Sequence, residues 1–76
     1  MRTHFTELQN KYTHLKDLVH YIKGTFKVGE NLPSERNLAD ITGYPRSTLR
    51  ESLIRLECFG FISIEHGKPM TYIKEL

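Results

Sequence analysis

Seven apolar side chains, Phe5, Leu8, Tyr12, Leu15, Val19, Ile22 and Phe26, recur at alternating intervals of three and four residues. That spacing is the mark of one apolar face on a helix, and it commits the first third of the chain to helical structure. Leu18 widens the seam in its second half, Gly24 weakens the end and Gly29 stops the pattern. The spacing predicts one helix over about residues 6–26, or two with a break near Thr13. The half from Thr13 onward reads as core-facing. The earlier half carries a seam that a coiled-coil strand would also show, so it either packs on its own domain or meets a second copy.

With 76 residues there is material for one small domain, and a chain of that size hides only about 60% of its unfolded surface. Net charge is +2 and the pI near 8.8, which permits a polyanionic partner without demanding one. Cys58 is the single cysteine, so no internal disulfide is available, and the usage suits a reducing cytoplasm. No histidine lies in its segment to activate a catalytic thiol. No apolar run approaches the roughly 20 residues of a membrane span, and the N-terminus has no apolar signal-peptide core. His4, His14 and His20 are scattered at spacings that suit no metal.

Beyond the connector Val28–Leu32, Pro33-Ser34-Glu35-Arg36 starts a second helix, with Ser34 as candidate cap and Asn37 at the capping-box position. Leu38, Ala39 and Ile41 supply its buried side. Thr42-Gly43-Tyr44 is a tight turn, and a third helix follows from Pro45 to just before Gly60. Two short helices joined by a glycine-containing turn of this length form a helix-turn-helix. Phe61–Glu65 and Met70–Ile73 read as strands around the turn His66-Gly67-Lys68-Pro69. The order gives a mainly α fold with a small β-hairpin. It is a winged helix-turn-helix, three helices plus a two-stranded wing, with residues 13–76 as that domain and 1–12 as a helical extension.

The third helix begins against a local rule. Arg46 and Arg50 sit in its first turns, where the helix dipole favours anions. Four residues apart, they share a face, and Ser47 and Thr48 add short hydroxyls beside them. A helix start carrying two forked cations and small donors suits the DNA major groove; a solvated basic surface is the plainer alternative. Arg55 follows Glu51 by four residues in the favourable orientation, which points to a structural pair. Tyr44 either packs on the helix or reaches a phosphate. Tyr21, Phe59, Phe61 and Tyr72 are most simply core or near-core.

Residues from about Leu18 to Ile73 resemble the N-terminal DNA-binding domain of the gluconate-repressor (GntR) family of bacterial transcription regulators. The resemblance is carried by Leu32-Pro33-Ser34-Glu35-Arg36, Leu38-Ala39, Arg46 through Leu53, Leu56-Glu57 and Gly60-Phe61-Ile62, with matching intervals between them. Ile64 through Pro69 is especially similar to the wing of a fatty-acid-responsive member. The resemblance implies that Arg36 touches DNA, that Arg46 and Arg50 meet guanines and phosphates, and that Ser47 and Thr48 contact the backbone or base edges. It places His66 and Gly67 at a wing tip in the minor groove and Lys68 at a phosphate. Pro45 departs from the family's usual serine or threonine, removing a capping or phosphate-binding hydroxyl, and Ser52 stands for a common alanine, a packing change. Family members also carry a C-terminal effector-binding and dimerisation domain, to which no residue here corresponds.

The expected partner is therefore double-stranded DNA, as an inverted-repeat operator. The dimer it requires is supplied by the N-terminal helix or by the missing C-terminal domain. The alternative is a winged-helix adaptor that recruits a protein through the 5–26 seam. No phosphate-cradling loop, paired-carboxylate motif or nucleophile–base set points to an enzyme, and neither cofactor nor metal is expected.

Overall fold

The computed structural model describes residues 4–76; the first three residues of the expected extension lie outside that range. The early seam resolves into two helices, α1 (His4–Lys11) and α2 (Thr13–Thr25), which join at Tyr12 in an extended conformation (φ −116°, ψ 105°). Neither glycine nor proline marks the break. The Tyr12 ring is held from another part of the chain: the Arg55 guanidinium lies 4.4 Å from its centroid, a cation–π contact. Leu15, Leu18, Val19 and Ile22 are buried, as the spacing requires. Phe5 in α1 is buried too, with its ring 5.1 Å from Phe59 and 4.7 Å from Phe61. The earlier half of the seam thus packs into the chain's own core.

α3 (Glu35–Thr42) and α4 (Arg46–Cys58) form the helix-turn-helix. Ser34 caps α3, its hydroxyl accepting from the Asn37 N–H at 3.1 Å. Gly43 ends α3 in the left-handed conformation (φ 79°), its N–H donating to the Ala39 carbonyl at 2.9 Å. α4 ends in a Schellman motif: Gly60 N–H donates to the Glu57 carbonyl and Phe61 N–H to the Leu56 carbonyl, both at 2.9 Å. Gly60 takes φ 79°, the backbone that glycine adopts without strain. Leu38, Leu49, Leu53 and Leu56 join the core with the apolar face of α2, and Ser52 is fully buried with no hydrogen-bond partner for its hydroxyl among the described residues, which fits a packing role.

The wing strands are shorter than their sequence suggests, β1 (Ile62–Ser63) and β2 (Thr71–Tyr72), antiparallel with Ile62 opposite Tyr72. Where a simple connector was expected, residues 29–32 hydrogen-bond to the hairpin through an isolated bridge beside the two-stranded sheet. Gly29 N–H donates to the Tyr72 carbonyl at 2.7 Å, Tyr72 N–H to the Glu30 carbonyl at 3.0 Å, and Leu32 N–H to the Met70 carbonyl at 2.7 Å. Asn31 bridges Thr71. Glycine and asparagine are depleted in strands, which is why the connector gave no strand signal. Its pairing straps the hairpin's base to the body of the domain and leaves the turn projecting.

Candidate nucleic-acid interface

α3 and α4 pack against each other across the tight turn, which sets the first turns of α4 within long side-chain reach of the start of α3. Arg46 and Arg50 both reach back to one residue there. Glu35 accepts from Arg46 Nε at 3.3 Å through one carboxylate oxygen and from Arg50 Nε at 3.1 Å through the other. The glutamate side chain is 21% exposed, whereas the arginines are 62% and 67% exposed. Pairs this open contribute on the order of 0–1 kcal/mol to folding. Their larger effect is on freedom: an arginine side chain carries about 2 kcal/mol of rotamer entropy, and a shared carboxylate restricts both at once. Each guanidinium is engaged through Nε, and its terminal nitrogens have no hydrogen-bond partner among the described residues. Those nitrogens carry the fork that suits a guanine edge or a phosphate.

Sequence reasoning singled out Arg36 and passed over its neighbour Glu35. The signal was present, an acid opening one helix while two cations open the next against the dipole, but the intervals of 11 and 15 residues become contacts only once the turn brings the two helix starts together. Ser47 is exposed and Thr48 half-buried beside the arginines. Arg36 is exposed and, among the described residues, unpaired; no ion pair forms with Asp40, four residues further along α3. Arg55 does meet Glu51, at 3.9 Å, as its spacing suggested.

The wing turn lies on the same side of the molecule. Glu35, Arg50, Ile64 and Met70 line one shallow depression between α4 and the hairpin. An adjoining depression is bordered by Ser34, Glu35, Lys68 and Pro69, and a third by Glu35, Arg46, Ser47 and Arg50. Glu35 is common to all three. At the turn itself, Lys68 N–H donates to the Glu65 carbonyl at 3.2 Å and Gly67 takes φ 76°, the positive φ that a type II turn needs at its third position. His66, Gly67 and Lys68 are exposed, and the Lys68 ammonium is 3.6 Å from the Glu65 carboxylate.

Tyr44 fixes the entry to α4. Its hydroxyl donates to Asp17 of α2 at 2.5 Å, so it packs rather than standing free. That hydrogen bond, with a smaller contribution from burial, holds its pKa above the ordinary tyrosine value. Among the described residues, no group of three or more histidine, cysteine, aspartate or glutamate side chains is placed to hold a metal.

The sequence profile of the bacterial regulatory proteins of the gntR family matches residues 11–71. The chain belongs to that family. It is 59% identical over 44 residues to a fatty acid metabolism regulator protein of Haemophilus influenzae (strain PittEE), a match covering 58% of this chain and 18% of the relative. It is 50% identical over 46 residues to the protein of the same name from Vibrio cholerae serotype O1, covering 60% of this chain and 16% of the relative. The chain therefore spans less than a fifth of the length of these regulators. Among solved structures, a GntR family transcriptional regulator from Listeria monocytogenes superposes with a TM-score of 0.69 at 27% identity, over 82% of this chain and 59% of that one. The gntR winged helix-turn-helix is thus present, with one more helix, α1, packed against its core. No helix among the described residues is long and apolar enough to cross a membrane.

Proposed function

We propose that this chain is a sequence-specific DNA-reading module of a gntR-type transcriptional regulator, working in the cytoplasm. The start of α4 enters the major groove with Arg46 and Arg50 on base edges and phosphates, flanked by Ser47 and Thr48. Arg36 and Lys68 reach phosphates, and His66 with Gly67 enters the adjacent minor groove. The observation that carries the reading is that the two guanidiniums, gathered on Glu35, face the same side as the projecting wing turn. Arginine forks discriminate guanine by about 1–3 kcal/mol each, and a narrow groove's negative potential suits the histidine tip.

A single module of this kind covers on the order of 600–1,000 Å² of its own surface, so tight binding calls for two modules on an inverted repeat. With about six phosphates neutralised, the log–log salt slope should be near −5. The adaptor reading has less support, because Phe5, Leu15, Leu18, Val19 and Ile22 of the seam are spent on the chain's own core. The family points to regulation rather than catalysis.

The test is retention on immobilised duplex by the chain carrying Arg46→Ala and Arg50→Ala together. Retention should be lost by roughly two orders of magnitude or more while circular dichroism stays unchanged. Undiminished retention would overturn the proposal.

A further inference from the structure

A carboxylate in the middle of a DNA-facing surface is a liability, since it repels phosphate. Glu35 nevertheless sits between the two arginines and borders three adjoining depressions on that face. We infer that Glu35 is a specificity-determining positioning residue, one that aims both guanidiniums and holds down the module's attraction for arbitrary DNA. The inference rests on the DNA-reading proposal and deepens it.

Two features of the geometry lead there. An arginine has two hydrogen-bonding edges, one that includes Nε and one made by the two terminal nitrogens. Glu35 occupies Nε of both Arg46 and Arg50, at 3.3 and 3.1 Å, through separate oxygens. The guanidinium is planar, so fixing Nε fixes the direction of the terminal edge. Both terminal edges are thus presented together, away from the carboxylate. The second feature is charge. The cluster holds two cations and one anion, so its attraction for phosphate is close to that of one cation. Phosphate attraction is blind to sequence and base-edge pairing is not. Reducing the first while ordering the second raises the ratio between bound operator and bound random DNA.

Two substitutions separate these effects. Glu35→Gln keeps the shape and removes the charge. Glu35→Asp keeps the charge, but its shorter stem cannot span both arginines. The native chain is first used to enrich a duplex from a randomised pool. Native and variant chains are then titrated with the enriched duplex and with the unselected pool across a range of salt.

Glu35→Gln should bind the unselected pool more tightly, with a salt slope steeper by about 0.9, and its preference for the enriched duplex should fall roughly tenfold. Glu35→Asp should lose preference to a similar degree with no change in slope. In the free protein, NMR signals of the Arg46 and Arg50 Nε–H groups should exchange with water faster in Glu35→Asp than in the native chain. An equal weakening on both DNAs, an unchanged preference in both variants, or loss of fold by circular dichroism in both would make Glu35 a structural residue and overturn the inference. Failure of the native chain to enrich any duplex would instead overturn the DNA-reading proposal, and this inference with it.

Discussion

Helices α2 and α4 are the same length, 13 residues each, and neither has a side-chain cap at its start. They differ in what their sequences obey. α2 follows the helical pattern along its buried face: its apolar stripe is continuous, and Leu15, Leu18, Val19 and Ile22 are all buried. α4 obeys them in its second half, where Leu53 and Leu56 pack inward, and breaks them in its first, where two exposed cations flank the buried Leu49 at the positive end of the dipole. Stability is concentrated in the regular helix and in the regular half of the other. The irregular half is the part proposed to meet DNA, and a glutamate from a third helix pairs with both of its cations.

The comparison is most easily broken from the α2 side. Ile22→Ala, a fully buried site, should cost about 2–5 kcal/mol, read as a lowered urea midpoint. A cost below about 1 kcal/mol would mean that α2 is not the anchor it looks to be. Next in size is Ser34→Ala at the start of α3, the one helix whose first turn has a side-chain cap among the described residues. It should cost about 0.5–2 kcal/mol, measured the same way.

Smaller again is a pH effect through the tie between α2 and the entry to α4. The Tyr44 pKa is raised by its hydrogen bond to Asp17, and the Tyr72 pKa chiefly by burial. Both hydroxyls hold their protons more tightly in the folded chain than in the unfolded one. Their contribution is therefore fully present below about pH 10 and is lost as pH rises through the folded values. Melting temperature should fall with alkalinity above that point, and Tyr44→Phe should make the fall shallower. An identical slope in that variant would remove the tie. The smallest effect on stability belongs to the pair with the largest proposed effect on binding. Arg46→Ala and Arg50→Ala should each change the unfolding free energy by no more than about 0.5 kcal/mol, because the lost ion pairs and the relieved dipole conflict offset one another. A loss of several kcal/mol would show that the irregular half of α4 is structural after all.

Much of this could be read along the chain. The helical seam, the Ser34 cap, the Gly43 turn, the Gly60 stop and the arginine pair all depend on spacings of five residues or fewer, where sequence separation and spatial separation are nearly the same thing. The wing was legible as a hairpin, though its paired strands were shorter than the apolar runs that announced them. The isolated bridge at Asn31 was hidden because the residues around it have little strand preference and pair through backbone supplied from Met70 to Tyr72. Glu35 was hidden for a related reason, lying in the quoted motif but a whole helix and turn away from the arginines it holds.

Local periodicity by itself therefore determined which segments are helical and most of the faces that turn inward, since burying an apolar stripe leaves a helix few alternatives; Ile41, expected on the buried side of α3, is instead exposed. Tertiary structure decided between one helix and the two-helix alternative with a break near Thr13, placing Arg55 over Tyr12 at the break, and it alone decided that Phe5 folds back onto Phe59 and Phe61. It also decided that one carboxylate gathers both guanidiniums. Each of these is a contact between residues far apart in the chain, and such contacts exist only after the core has brought their helices together.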